Sequence, residues 1–403
     1  LADPATASPY SWFAEIMALE NVGDVMSGDA APEALGVTAL DNHTLEVSLT
    51  SSLPYFAAMT THSSTFPSPE WIVRTSGNDW TKPENIVSNG AYVLTEHIPM
   101  ERAVRERNPL YWNNNATIID KVVTLIINDE NVDFTRYLAN ELDKGGVPTG
   151  QFKRLKEDYP DQATSFPRLC TYYYTFNLSP SGQEALQDVR VRQAVAYAID
   201  RQAIVDGAMF GFGTPIGSHM APHNPAYVDL TADFAYNPAK AKALLKEAGH
   251  GNGVTVSLKL PPPAYARRGG EIIAAQLAKV GITAKIEPVE WAQWLDQVYK
   301  KRNYDLSIVM HVEPNDIGKY ADPKYYFQYD SKEFQDIIKI ADTTLDPAER
   351  KSALQAAQRK ISADAVNGFL FQGAKITVMR KGLQGVWANS PMFVNDLAAI
   401  SWK

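Results

Sequence analysis

The sequence predicts an α/β fold. Apolar runs of strand length alternate with amphipathic helices along most of the chain, and this alternation is typical of sheets covered by helices. No internal repeat or low-complexity segment interrupts the pattern. The chain has 403 residues, which is enough for two or three domains.

The composition narrows the classes of protein. Hydrophobic residues make up 45% and charged residues 21% of the chain, which is ordinary for a globular protein. A net charge of −8 argues against a general nucleic-acid binder, because such proteins neutralise phosphates with basic residues. No apolar run reaches the length of a membrane span. The single cysteine, Cys170, allows neither an intramolecular disulfide nor a cysteine-based metal site.

The first third of the chain reads as strands separated by turns. Asp41-Asn42 forms a turn before an alternating strand, which Pro54 ends. Asn89-Gly90 is a second turn signal, and the run KVVTLIIND that starts at Lys121 predicts a buried strand. The start, Leu1-Ala2-Asp3-Pro4, has neither the charged nor the apolar region of a signal peptide, so we expect the chain to begin after processing or truncation.

The middle of the chain contains a tyrosine-rich strand followed by a helix. In the strand RLCTYYYTFNLS, Tyr172 and Tyr174 point to one face and Tyr173 to the other, so one face could line a cleft. The run DVRVRQAVAYAIDR then predicts a helix that Asp188 caps. Its apolar residues share one face, and Arg190 and Arg192 lie off that face.

The second half continues the βαβ rhythm. The Gly- and Pro-rich run MFGFGTPIGSHMAPHNPAYVDL is too long for an ordinary connection and predicts an ordered or functional surface loop. Helices are expected to begin at Pro238 and to span Ser331 to Thr343 and Asp346 to Asp364. The strand NGFLFQGAKITVMR should then return toward the first lobe.

The sequence offers no good candidate for a catalytic motif. The sequence has no G-x-S-x-G, H-E-x-x-H or P-loop pattern. His219 and His223 are four residues apart, but Pro222 prevents them from sharing a helical face, so a loop is favoured over a metal site. We therefore expect no catalytic residue, no metal and no cofactor.

Several runs resemble one family. DVRVRQAVAYAIDRQAI, RNPLYW from Arg107 and CTYYYTFN from Cys170 resemble the family 5 solute-binding proteins of ABC importers, the oligopeptide- and dipeptide-binding group. The resemblance implies a two-lobed periplasmic-binding-protein-like fold, type II, family 5 cluster, with a smaller extra domain. It also implies that this chain lacks the usual N-terminal part of the family. The implied domains are the rest of the extra domain at 1–67, part of lobe I at 68–170, lobe II at 171–375 and a return to lobe I at 376–403.

The resemblance also implies ligand-binding residues. Trp291 matches a ligand-facing tryptophan, and the segment after YDLSIVM is where the family places the acid that pairs with a peptide's α-ammonium, so Glu313 and Asp316 are the candidates. Arg267 and Arg268 could receive a ligand carboxylate. The alternative for each residue is a purely structural role. The full set of candidates is Tyr172, Tyr174, Asn177, Arg267, Arg268, Trp291, His311, Glu313 and Asp316.

The chain departs from the oligopeptide branch in its second half. Val312 stands near the position of that branch's second cysteine, and Val298 and Ser307 or Ile308 stand near its ligand-binding arginines. The first half, to about residue 187, resembles the oligopeptide branch and the second half another branch, so the ligand does not follow from the resemblance alone.

The expected function is that of an extracytoplasmic, periplasmic receptor. A monomer would capture a peptide or a similar small polar solute between two lobes and deliver it to the membrane subunits of an ABC importer, with no role for nucleic acid. Hinge closure would follow from tighter binding to the closed state. The alternatives are a hydrolase acting on peptides or glycosides, and a peptide-binding chaperone or scaffold.

Overall fold

A computed structural model describes residues 1–6, 8, 10–127, 129–311, 316–387 and 396–403. The α-helices are α1 (Ser11–Ile16), α2 (Val22–Ser27), α3 (Phe56–Met59), α4 (Glu70–Ser76), α5 (Glu130–Leu138), α6 (Phe152–Asp158), α7 (Val189–Ala198), α8 (Arg201–Met209), α9 (Pro238–Glu247), α10 (Ala264–Ala278), α11 (Trp291–Trp294), α12 (Lys332–Thr343) and α13 (Pro347–Ala363). The strands are β1 (Val37–Ala39), β2 (Leu45–Val47), β3 (Tyr92–Ile98), β4 (Arg102–Arg107), β5 (Lys121–Leu125), β6 (Lys144–Gly145), β7 (Ala163–Phe176), β8 (Gly213–Pro215), β9 (Val254–Leu260), β10 (Ile282–Pro288), β11 (Leu306–His311), β12 (Asn367–Met379), β13 (Leu383–Gln384) and β14 (Ser401–Trp402). The mixture of helices and strands confirms the predicted α/β class. Within the described ranges, every helix falls short of the length or hydrophobicity that a membrane crossing requires.

The chain divides into two compact units. Unit 1 comprises Leu1–Pro69 and Lys332–Ala357, and unit 2 comprises Glu70–Ser331 and Gln358–Lys403. This division follows contacts between residues, whereas the domain boundaries expected from the sequence follow a family resemblance. Those boundaries therefore stay a prediction.

Unit 1 contains a small apolar cluster and a polar contact between distant segments. Phe13, Met17 and Val25 are buried in the cluster, beside the antiparallel pair of strands β1 and β2. The hydroxyl of Tyr55 donates to the Asp342 carboxylate at 2.9 Å, and burial raises the pKa of Asp342. This contact links the N-terminal segment to helix α12, 287 positions further along the chain.

Unit 2 is built on a mixed sheet with the strand order β10-β9-β11-β7-β12-β6, in which β8 also pairs with β12. Strands β9, β10 and β11 are parallel, and β7 pairs antiparallel with both β11 and β12. Tyr172, Tyr174 and Phe176 share one face of β7 and belong to the main apolar core, together with residues of α7, α8 and α10. The alternation seen in the sequence therefore decides which tyrosines enter this core.

A separate antiparallel sheet of unit 2 contains β3, β4 and β5. The run KVVTLIIND forms a strand as expected, but the prediction that this strand is buried is wrong. Strand β5 lies at the edge of this sheet, and Val123 is 49% exposed. Apolar composition predicts a strand, but only the neighbouring chain determines whether that strand is covered.

The run DVRVRQAVAYAIDR forms two helices rather than one. Helix α7 ends at Ala198, Ile199 is extended, and Asp200 caps α8 by accepting from the amide of Ala203 at 3.1 Å. The predicted cap is confirmed, since Asp188 accepts from the amide of Arg190 at 2.8 Å. A second aspartate with cap chemistry therefore begins a new helix where the apolar pattern indicates a continuous one.

The expectation that Arg192 lies off the buried face is wrong. Arg192 is only 7% exposed, and its guanidinium donates to backbone carbonyls of the turn before α7 and of the chain after α13. These carbonyls belong to Leu186, Gln187, Asp364 and Ala365, at 2.7–3.1 Å. An arginine can be buried in this way because its guanidinium has five N–H donors. Carbonyl oxygens at helix ends lack a partner within the helix and can accept from these donors.

Candidate ligand-binding site

The two candidate tyrosines are core residues. Tyr172 is 3% exposed, and its ring stacks on Phe371 with centroids 4.6 Å apart and meets the edge of Tyr265 at 4.8 Å. Tyr174 is 2% exposed and packs edge-on against Phe176. Burial raises the pKa of both Tyr174 and Tyr265. Both candidates therefore stabilise the sheet, and the structure leaves their side chains little access to solvent.

The third tyrosine of the run faces the opposite side of the sheet. Tyr173 is fully buried, and its ring lies 5.2 Å from the ring of His311 on β11 and 6.0 Å from that of Phe369 on β12. Tyr320 and Tyr326 are buried nearby, and burial is the main cause that raises the pKa of all three phenols. This face of the sheet therefore brings His311 beside Tyr173.

Asp316 is buried between two histidines. Its Oδ1 lies 2.6 Å from Nε2 of His219 and its Oδ2 lies 2.7 Å from Nδ1 of His311. The side chain of Asp316 is 11% exposed and that of His219 is 5% exposed. Burial alone would raise the pKa of Asp316, but the two imidazoles hold that pKa well below its usual range. Both carboxylate oxygens are thus already engaged.

Glu313, the other acidic candidate, lies outside the described residues. The strand before it does place His311 at its end, paired with Thr171 of β7. Of the acids expected to meet a ligand ammonium, the described part of the chain contains Asp316, whose two oxygens each already contact an imidazole.

Asn177 has a structural role in the described chain. It is fully buried, and its amide nitrogen donates to the carbonyls of Arg302 and Tyr304, both at 2.8 Å. Its side-chain oxygen accepts from the amide of Ser179 at 3.0 Å. These bonds satisfy the backbone where β7 ends, and they use both polar atoms of the side chain.

The remaining candidates lie nearer the surface. Arg267 forms an ion pair with Glu290 at 3.2 Å, and the guanidinium of Arg268 lies over the ring of Phe210 at 5.3 Å. Trp291 begins α11, is 43% exposed and meets Trp294 edge-on at 5.7 Å. Trp294 is buried and donates to the hydroxyl of Ser307 at 2.9 Å. Trp291 therefore presents an aromatic surface that a buried neighbour holds in place.

The sequence predicts only part of this cluster. It makes His311 and Asp316 candidates, whereas it favours a loop for His219 and His223. The partner of His219 is 97 positions away, and no local pattern indicates such a pairing. His223 instead approaches the amide of Gln372 at 2.8 Å. Among the residues that the structure describes, no group of three acidic, histidine or cysteine side chains could hold a metal ion.

Comparison with known proteins decides the family. The model of "Bacterial extracellular solute-binding proteins, family 5 Middle" matches residues 1–337. The chain is a family 5 solute-binding protein. The predicted family resemblance is confirmed, and members of this family are solute-binding proteins.

Two curated relatives of this family 5 protein illustrate the similarity. The periplasmic murein peptide-binding protein MppA of Escherichia coli is 31% identical, over 97% of this chain and 75% of that protein. The periplasmic oligopeptide-binding protein OppA of Salmonella typhimurium is 32% identical, over 91% of this chain and 70% of that protein. The chain thus spans about three quarters of the length of these relatives.

Solved structures show the same fold. The Escherichia coli murein tripeptide binding protein MppA matches with a TM-score of 0.83 and 27% identity, covering 100% of this chain and 81% of that chain. Haemophilus influenzae OppA in complex with RPPGFSPFR matches with a TM-score of 0.81 and 27% identity, covering 100% and 82%. The predicted periplasmic-binding-protein-like fold of this family 5 protein is confirmed.

Proposed function

We propose that this family 5 protein is an extracytoplasmic receptor that binds peptides, or a similar small polar solute, and delivers them to an ABC importer. The observation that carries the proposal is the likeness of the whole chain to a family member solved with a bound peptide, RPPGFSPFR. The curated relatives with at least 30% identity include periplasmic peptide-binding proteins. The proposal includes a periplasmic location, an ABC permease as partner, a monomeric state and the absence of catalysis.

Peptide binding of this kind does not need a catalytic group. Backbone hydrogen bonds supply affinity that tolerates many sequences, and apolar or aromatic surfaces accept side chains. In this chain Trp291 offers such a surface, and the exposed guanidinium of Arg268 could receive a carboxylate. Arg267 would first have to leave Glu290, which costs little because the ion pair is partly exposed.

The buried candidates would contribute indirectly. Tyr172, Tyr174 and Asn177 hold the sheet and the chain after it, and so support the positions of neighbouring ligand-facing groups. Asp316 would orient His311, since its carboxylate joins the two imidazoles at 2.6 and 2.7 Å. Under this proposal, ligand contacts come from surface groups on a scaffold that these buried side chains hold in place.

Native mass spectrometry of the purified chain, before and after mild denaturation, tests the proposal. A set of small peptides that leaves on unfolding would support the peptide receptor, and a single non-peptide mass would retain the receptor but replace its ligand. Protein that stays empty after exposure to a peptide mixture would count against the proposal. Saturable turnover of model peptides or glycosides, abolished by a point mutation, would replace it with a hydrolase.

A further inference from the structure

Lys144 is a half-buried cation on the short strand β6 of unit 2. This strand pairs antiparallel with the end of β12, where Lys144 lies opposite Met379 and Gly145 lies opposite Val378. Within the described ranges, the ammonium of Lys144 has neither an ion pair nor a hydrogen bond. Such a position costs free energy, because a cation that leaves water without gaining a partner loses hydration.

The end of β12 separates an apolar face of the sheet from a polar one. Val378 and its partner Ala163 on β7 are buried in an apolar cluster. Side chains alternate along a strand, so the neighbours of Val378 point to the opposite face. That face carries Lys144 and the hydroxyls of Thr164 and Thr377, which lie 3.0 Å apart. The sheet thus presents a cation and two hydroxyls on one side.

The charges that act on Lys144 are positive. Lys375 lies two positions before Thr377 on β12 and therefore on the same face. Burial lowers the pKa of Lys144, and the charge of Lys375 lowers this pKa further, whereas no carboxylate of the described chain contributes. Lys375 makes other contacts as well, so the site is assigned to Lys144. An anion beside Lys144 would oppose both effects.

The two threonines supply a further donor for such an anion. The contact between the hydroxyls of Thr164 and Thr377 uses one of their two protons, so the other can be donated to a ligand oxygen. A carboxylate has two oxygens and accepts from an ammonium and a hydroxyl at the same time. This donor set therefore suits a single carboxylate group.

We propose that Lys144 receives a carboxylate of the bound ligand, with a hydroxyl of the Thr164 and Thr377 pair as second donor. The inference rests on the proposed function, because it takes the ligand to be a peptide. A peptide carries this group at its C-terminus or on an acidic side chain, and the chemistry of the contact is the same for both. The site adds to the surface groups already proposed to contact the ligand.

Acetate tests the site without any peptide. In protein labelled with [¹³C]lysine, the Cε signal of Lys144, assigned by its loss in Lys144→Arg, reports the pKa of the ammonium. Replacing chloride by acetate at constant ionic strength should raise this pKa. Lys381 is the internal control, because its side chain is 82% exposed and lies 3.9 Å from Asp161. No rise at Lys144, or an equal rise at Lys381, would overturn the site.

Calorimetry with peptides identified by native mass spectrometry separates the two sources of the carboxylate. Each peptide is compared with its C-terminal amide and with a form in which Asn or Gln replaces Asp or Glu. One of these neutral forms should bind the wild-type protein about tenfold or more weakly. Lys144→Met should bind the acidic and neutral forms alike, and Lys144→Arg should retain most of the difference. Lys381→Met, which removes the same charge just beyond β12, should leave the difference unchanged.

Stability distinguishes a ligand contact from a structural role. Lys144→Met keeps the apolar stem and removes a partly desolvated charge, so this variant should unfold at the same denaturant concentration as the wild-type protein or at a higher one. A clear loss of stability would assign Lys144 to the fold instead. If the variant fails to fold, the acetate titration of the wild-type protein decides.

The two proposals can fail separately. Wild-type protein that binds a peptide and both neutral forms equally would overturn the carboxylate site and leave the peptide receptor intact. Protein that binds no peptide would count against the proposed function, and the acetate titration then decides the site alone. A rise in the pKa of Lys144 would support an anion site there, and an unchanged pKa would refute it.

Discussion

Oδ1 of Asp316 lies 2.6 Å from Nε2 of His219, although 97 positions separate the two residues in the chain. The same carboxylate contacts His311, so one acid organises two imidazoles in a buried setting. A group that a sequence comparison would assign to a ligand is therefore already engaged within the protein.

Asp316→Asn should lower the free energy of unfolding by about 2–4 kcal/mol at pH 7, because it removes one member of a buried polar network and leaves its partners unsatisfied. The pKa of Asp316 is depressed in the folded state, so the stability due to its ionisation is complete above about pH 4 and is lost as the pH falls further. Chemical denaturation from pH 3 to 7 measures both effects. Asp161→Asn is the control, since Asp161 is 74% exposed; an equal loss in both variants would contradict the network.

Arg192→Ala should cost about 3 kcal/mol or more, because it leaves several buried carbonyls without donors. Arg192→Lys should recover only part of this loss, since an ammonium cannot reproduce the geometry of a guanidinium. Arg190 lies on the same helix, and its side chain is 47% exposed beside Asp188, so Arg190→Ala should cost less than about 1 kcal/mol. Thermal unfolding of the three variants tests this order, and a reversed order would refute the role of Arg192.

Gly368→Ala should destabilise the protein by several kcal/mol, of the order seen for overpacked cores. A Cβ at this position would lie 1.7 Å from Cζ of Tyr174, closer than any allowed contact. Tyr174→Ala should partly rescue Gly368→Ala in a double-mutant cycle, because it removes the clashing ring. Gly23→Ala is the control, as its Cβ would meet no atom within 4 Å. Strictly additive effects of Gly368→Ala and Tyr174→Ala would contradict the predicted clash.

Trp291→Ala should weaken binding of a peptide identified by native mass spectrometry about tenfold or more, as expected for loss of an aromatic contact surface. It should change stability little, because Trp291 is 43% exposed. Trp112→Ala is the matched control, since Trp112 is 84% exposed and has no proposed ligand role. Calorimetric titration measures the affinities. Equal effects of the two substitutions, or none, would exclude Trp291 from the ligand site.

Local sequence chemistry predicted much of the fold. The helices from Lys332 to Thr343 and from Pro347 to Ala363 begin and end within a residue of their expected bounds. The predicted cap at Asp188 accepts from a first-turn amide. Such features are local, because a cap or an apolar stripe depends on residues a few positions apart.

Environments that depend on distant residues escaped prediction. The face of β7 that joins the main core, the burial of Arg192 and the exposure of β5 all depend on which segments pack against them. Periodicity places Tyr172 and Tyr174 on one face, but it does not state whether that face meets helices or a ligand. Sequence patterns likewise do not predict the role of Asn177, because the two carbonyls that accept from its amide nitrogen lie more than 120 positions later.

The sequence by itself determined the α/β class, the positions of most helices and strands, and the family, because each of these resides in short patterns of residues. Only the tertiary structure decided that Asp316 binds two histidines and that Tyr172 and Tyr174 are core residues. The physical reason is that burial and hydrogen bonding are properties of neighbours in space. A loop and a sheet bring His219 and Asp316 together, and no local pattern encodes that distance.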